Sequence, residues 1–291
     1  MPVEAIHISA YLDSLTASSA GHALRQGQLR ELGRLGCLAI DLPYFEHFPL
    51  GVARYLLKRP TAQSSWGELL HKGKPAQGAL AMLALARAHR GQGRAREAER
   101  VLALLLGFVS HLAVDRSLHP LVNRMARERA RRLGRDVLHH HTEVEKFHSV
   151  LFHEERLGFD FMGRHELREH IAVDSDAIHR DADLRAAYVA ALSATCGEPP
   201  GGELLRQWAR GYQQYVWLVS SPVGKRIVPD AKKREVRAEL YRGAFGSFVD
   251  AYGEAVGKSR DAIDATLCAF VAADGAALLA RALPEGPIDL G

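Results

Sequence analysis

The chain has 291 residues, 47% of them hydrophobic, and a formal charge of +4. That length suits one large domain or two smaller ones with a sizeable core, and the slight basic balance is too weak to argue nucleic-acid binding by itself. Cys37, Cys196 and Cys268 are far apart and form no CxxC pair, which argues against a disulfide framework and suits a reducing compartment. The first residues, MPVEAIHISAYLDSL, lack the basic and apolar regions of a signal peptide, and no run approaches about 18 consecutive apolar residues. The expectation is a cytoplasmic protein without stable membrane insertion.

In chain order, nearly every periodic segment has helical spacing. Ile6–Leu15 and Ala20–Ile40 read as helices, and Asp41-Leu42-Pro43 ends the second, because proline disfavours a helical residue before it. Tyr44–Pro60 reads as a loop with a short helix. Ser64 can cap a short helix carrying His71. Pro75–His89 is Ala/Leu-rich and strongly helical, and Ala95–Leu118 follows as a central helix that Pro120 limits. Leu121–Leu133 is arginine-rich. Asp136–Leu157, Asp174–Thr195, Gly202–Val219, Lys232–Val256 and Arg260–Leu283 complete the set. Strand signals are scarce. The breaks at 197–202 and near Pro222 read as turns within one bundle, so the fold expected is all-α, a single multi-helix domain over 1–291.

Chemistry concentrates in GFVSHLAVDRSLHP, residues 107–120. Successive side chains at His111, Asp115 and His119 are four residues apart, so each is rotated by only about 40° and the three form one stripe. Phe108, Val109, Leu112, Val114 and Leu118 surround them. Two imidazoles and a carboxylate buried in an apolar setting need compensating partners, and a divalent metal supplies one. In HHHTEVE, His141 and Glu145 again share a face, a pair able to hold one side of a metal. His7, between Ile6 and Ile8, and His71, after Leu69-Leu70, would each be read alone as satisfied core residues. Asp41 alone would be a turn-forming residue.

The ordered set His7, Asp41, His71, His111-xxx-Asp115, His119 and His141-xxx-Glu145 resembles the zinc-dependent phospholipase C family, an all-helical fold related to zinc-dependent single-strand nucleases. The resemblance covers about residues 1–160, with 161–291 completing the bundle. It implies one zinc on Asp41, His71, His111 and Asp115, and a second on His119, His141 and Glu145. A third would use His7 and Asp115. That third ion stands apart from the other two, because the family also uses a processed N-terminal tryptophan there and this sequence starts Met-Pro. Asp41 would orient or deprotonate an attacking water. The implied activity is metal-dependent hydrolysis of a phosphodiester, with a phospholipid head group or another phosphodiester as substrate. The family's toxin-type C-terminal β-sandwich is not expected, since 200–291 reads as helical.

Several other features have simpler readings. Arg124, Arg127, Arg129, Arg131, Arg132 and Arg135 could hold an anionic head group or nucleic acid, but read first as a solvated face offset by Glu128 and Asp136. Tyr44, Phe45 and Trp66 could line a pocket near Asp41 and His71. Trp208, Tyr212 and Tyr215 share a helix face suited to packing or a partner. Cys37 reads as a small buried hydrophobe, and His165, His170 and His179 as surface residues. Two rivals to the hydrolase remain. One is a non-catalytic protein that keeps the metal cluster as a stabiliser or interaction platform. The other is an HD-type phosphohydrolase, which needs an adjacent His-Asp pair that this sequence lacks.

Overall fold

The computed structural model describes residues 4–18, 24, 27–50, 64–134, 136–241, 246–283 and 286. The N-terminal Met-Pro, Arg135, and the 51–63 part of the expected Tyr44–Pro60 loop lie outside the described residues. Among those described, all regular structure is helical, as the periodicity predicts. The helices are α1 (Glu4–Ala17), α2 (Gly27–Ala39), α3 (Ser65–Lys72), α4 (Pro75–Gly91), α5 (Ala95–Leu133) and α6 (Val137–Leu157). They continue with α7 (His165–Ile171), α8 (Ala182–Cys196), α9 (Gly202–Ser220), α10 (Asp230–Val236), α11 (Phe248–Val271) and α12 (Gly275–Ala282). A 3-10 turn, Leu42–Phe45, follows α2, and single helical turns lie at Ala177–Arg180 and Gly224–Ile227.

The bundle is built around α5. Residues 101–112 are buried without interruption, which marks a helix apolar on all sides and enclosed by others. By length and composition α5 could cross a membrane, yet most of that apolar stretch is buried inside the bundle. It packs most extensively against α2 and α11, then against α4 and α6. Glycines set the closeness of α2 to α5: a Cβ at Gly107 would run into the Gly33 carbonyl, and one at Gly36 into the Leu104 carbonyl. This near contact of two backbones brings the end of α2, with Cys37 and Asp41, against the polar stripe of α5.

Several boundaries differ from the sequence reading. The central helix does not stop at Pro120 but runs through it to Leu133. Proline forfeits one helical hydrogen bond and crowds the preceding turn, at about 3 kcal/mol, and the burial of Leu121, Val122, Met125 and Ala126 offsets that cost. Ser64 precedes α3, but its hydroxyl donates to Glu46 Oε2 at 2.9 Å and makes no cap bond. The expected Asp174–Thr195 helix is broken at Asp181, whose carboxylate accepts from the Asp183 and Leu184 amides and starts α8. Lys232–Val256 is not one helix either. Arg237–Tyr241 widens into a π-type turn, and α11 starts afresh at Phe248 with Ser247 as its cap. The chain from Arg260 to Leu283 divides between α11 and α12.

Trp208, Tyr212 and Tyr215 are buried, so their shared face is core packing. Phe45 packs against Tyr212 and Tyr215, and Trp66 stands edge-on to Trp208 at 6.0 Å. Of the three aromatics considered for a pocket, Tyr44 reaches the polar cluster. It is 43% exposed, with its hydroxyl 3.2 Å from His71 Nδ1.

Candidate metal centre

Five segments deliver side chains to one place. α1 carries His7, the turn after α2 carries Asp41, α3 carries His71, α5 carries His111, Asp115 and His119, and α6 carries His141 and Glu145. Their donor atoms form three groups, each with atoms within 4.8 Å of one another: His7, His111 and Asp115; Asp41, His71 and His111; His119, His141 and Glu145. All eight residues singled out in the sequence therefore meet in one cluster. His111 is common to two of the groups, where the resemblance places Asp115 in that role.

Asp115 is the hub. Its Oδ1 lies 3.3 Å from His7 Nε2 and 3.5 Å from His119 Nε2, and its Oδ2 lies 3.1 Å from His111 Nε2 and 3.5 Å from His71 Nε2. Asp41 Oδ1 stands 3.3 Å from His71 Nε2 and 3.9 Å from His111 Nε2. Glu145 Oε1 stands 3.2 Å from His119 Nε2 and 3.0 Å from His141 Nε2. Every imidazole thus turns Nε2 toward a carboxylate.

The opposite ring nitrogens fix what those Nε2 atoms can do. His111 Nδ1 donates to the Cys37 carbonyl at 2.6 Å, and His71 Nδ1 donates to the Gly67 carbonyl at 2.8 Å. A carbonyl only accepts, so both rings carry their proton on Nδ1 and present a lone pair at Nε2 when neutral. His141 Nδ1 lies 2.7 Å from Asn123 Oδ1, an equivalent arrangement. Lone pairs aimed at carboxylates repel unless a proton or a cation lies between them. This is also how metal-ligating histidines are held, with the far N–H on a carbonyl or carboxylate. Among the described residues, His7 Nδ1 is buried without a hydrogen-bond partner. The donor set of imidazole and carboxylate, partly buried and converging, suits a divalent ion such as zinc.

Without cations, charge balance falls to protons. Burial pulls the His71 imidazole down, but Asp115 and Asp41 overcome it and raise it to about 10. Burial likewise opposes charge on His111, and the same two carboxylates raise it. Burial would raise Asp115, but the surrounding imidazoles, His119 foremost, hold it well below the usual carboxylate range. His7 is the exception. Burial, followed by the neighbouring His111, lowers it to about 4, so it stays neutral. A cluster that must collect several protons to balance its carboxylates is one that divalent cations would also balance.

The flanking histidines do other work. His140 Nε2 donates to the Gly134 carbonyl and His148 Nε2 to the Leu240 carbonyl. His165 is exposed, and His179 is partly so. His170 departs from the surface assignment: its Nε2 lies 3.0 Å from Ser9 Oγ and 3.2 Å from the Ala5 carbonyl. Ser9 Oγ is also 2.9 Å from Nε2 of the buried His153, whose Nδ1 donates to the Ser149 carbonyl. A second histidine pair therefore ties α1 to α6 and α7. The arginine-rich stretch is also not uniformly solvated. Arg124, Arg127, Arg131 and Arg132 are exposed, but Arg129 is buried and bonds Glu143 and Glu239, each at 2.8 Å. Two residues near the cluster went unnoticed in the sequence. Asn123 extends the HxxxDxxxH spacing by one more step of four. Glu4 is a buried carboxylate on α1 that accepts from the Tyr215 hydroxyl at 2.8 Å.

Comparison of this chain with family models, with curated proteins and with solved structures finds no match.

Proposed function

We propose that this chain is a metal-dependent hydrolase of the zinc-dependent phospholipase C type, acting on a phosphodiester. One observation carries the reading: His71, His111 and His141 have Nδ1 bonded to oxygen acceptors while their Nε2 atoms converge on Asp41, Asp115 and Glu145. Asp41, His71, His111 and Asp115 would hold one zinc, and His119, His141 and Glu145 a second. His7 and Asp115 would serve a third. Such ions supply a Lewis acid for phosphoryl oxygens and bring bound water to ionise near neutrality.

The protein groups then divide the work. Asp41 and Glu145 keep part of their surface open to solvent, at 13% and 18% of the side chain, as does His141 at 15%. The substrate phosphate would approach from this side. Asp41, held at the turn that follows α2, would orient a water or accept its proton. Three carboxylates against two or three divalent ions leave a net positive site that attracts phosphate. Exposed Arg124 and Arg127 would add attraction for a nucleic-acid or lipid-headgroup phosphodiester.

A second reading, a metal centre that stabilises the fold or serves as a platform without turnover, draws on burial. His111 and Asp115 side chains are only 0% and 4% exposed, as in a closed structural site. One experiment separates the two. Protein purified without a metal-affinity tag is analysed for metal by plasma mass spectrometry and assayed on bis-p-nitrophenyl phosphate, beside His111→Ala and Glu145→Ala. Two or more ions per chain, lost in the variants together with hydrolysis, support the enzyme. Metal without turnover supports the platform, and no metal rejects both.

A further inference from the structure

We propose that Asn123 is a positioning residue that sets the tautomer of His141 and so makes its Nε2 a metal ligand. The inference rests on the metal-centre reading above and adds a residue that neither the sequence motif nor the resemblance names. Asn123 lies on α5 four residues after His119, so a rotation of about 40° keeps it on the ligand stripe. It is buried, at 4% exposure. Its Oδ1 stands 2.7 Å from His141 Nδ1, and His141 Nε2 stands 3.0 Å from Glu145 Oε1.

The chemistry follows from what an amide oxygen can do. Oδ1 only accepts, so His141 carries its proton on Nδ1 and leaves the Nε2 lone pair facing the Glu145 group. Remove that acceptor, and the opposite tautomer becomes favourable. Nε2–H would then donate to Glu145, and the ligand nitrogen would be blocked by its own proton. His111 and His71 are safe from this, because backbone carbonyls of Cys37 and Gly67 hold them. Among the described contacts, the His141 Nδ1 is held by the side-chain oxygen of Asn123, where the other two rings lean on backbone carbonyls. A carboxylate in place of the amide keeps the acceptor and adds charge, which raises ligand basicity.

The test uses full-length zinc-loaded chain without an affinity tag, equilibrated against graded concentrations of a zinc chelator, with zinc per chain as the readout. Asn123→Leu is expected to weaken one ion about 10- to 100-fold, the usual effect of losing such a partner, and to leave the remainder unchanged. Asn123→Asp is expected to hold that ion as tightly as wild type or more so. In a His141→Ala background, Asn123→Leu is expected to add nothing. Wild-type retention in Asn123→Leu, or equal weakening by leucine and aspartate, would overturn the assignment. So would a leucine effect that persists without His141. Should the leucine chain fail to fold, the aspartate chain decides, since zinc held more loosely than in wild type overturns it. Zinc held by wild type without hydrolysis defeats the proposed activity and leaves this assignment standing. Absence of zinc from the His141 group of wild type defeats both.

Discussion

His7 and His111 lie face to face, with ring centroids 3.9 Å apart and planes 10° from parallel, and both turn Nε2 toward Asp115. Burial first, and then the neighbouring His111, push His7 down, while Asp115 and Asp41 pull His111 up against its own burial. Asp115 is what makes the pair tolerable. Replacing Asp115 with Asn is expected to remove at least one metal ion per chain. It should also destabilise the metal-free fold by about 3–5 kcal/mol, the scale for breaking a buried ion pair. Plasma mass spectrometry and urea unfolding give the two readings, and undiminished metal content would reject the hub role.

Stripping metal with a chelator should lower the melting temperature. A ligand present at about 100 times its Kd adds about 2.7 kcal/mol, worth roughly 5 °C or more in a chain of this size. Differential scanning calorimetry before and after re-addition of zinc checks it. A melting temperature indifferent to the chelator would mean that no ion is bound.

Gly107→Ala should act on the site from a distance. The added methyl meets the Gly33 carbonyl, so α2 must move away from α5. Overpacking of this kind costs about 1–3 kcal/mol, and the Cys37 carbonyl moves with α2, away from His111. We expect lower stability and weaker metal retention together. Lower stability with unchanged metal affinity would show that the α2–α5 approach does not govern His111.

The arginine-rich end of α5 should divide sharply under mutation. Arg129→Ala leaves Glu143 and Glu239 without their buried partner and is expected to cost about 3 kcal/mol or more. Arg124→Ala, at an exposed position, should stay within about 0.5 kcal/mol of wild type. Equal effects in denaturant titrations would contradict the assignment of Arg129 to the interior.

Acid sensitivity should arise in part away from the candidate metal centre. Burial depresses His148 to about 4, against 6.5 for the free side chain. Between those values the unfolded chain binds the proton and the folded chain does not, so stability falls as pH drops below about 6.5 and levels off below about 4. The full effect is about 3 kcal/mol at 1.36 kcal/mol per unit. His148→Gln, which keeps a donor for the Leu240 carbonyl, should flatten that part of the pH profile in chelator-treated protein. An unchanged slope would refute the attribution.

The helices and the ligand spacing were legible because both depend on local periodicity. His111, Asp115 and His119 share a stripe whatever surrounds them, and His141 and Glu145 do the same on α6. What pairs with the far side of each ring was less so. The acceptor for His111 is a backbone carbonyl of Cys37, and no side-chain pattern encodes a backbone atom brought near by tertiary packing. Asn123 could have been found, since it continues the four-residue spacing past His119. The interior position of Arg129 and the Ser9–His153–His170 contact depend on which face each helix turns inward, and composition alone does not reveal it. Pro120 misled for a related reason: local propensity argued for a stop, and packing on both sides of it prevailed.

The candidate ligands come from elements spread over nearly half of the sequence, from α1 to α6, and the stripe on α5 meets its partners only when α2 and α6 have docked against it. Closing such long loops is entropically slow and precedes any gain from the contacts. Ions that need most of these side chains at once therefore cannot guide the early collapse. They would arrive at an assembled bundle and act on its lifetime, slowing unfolding far more than they hasten folding.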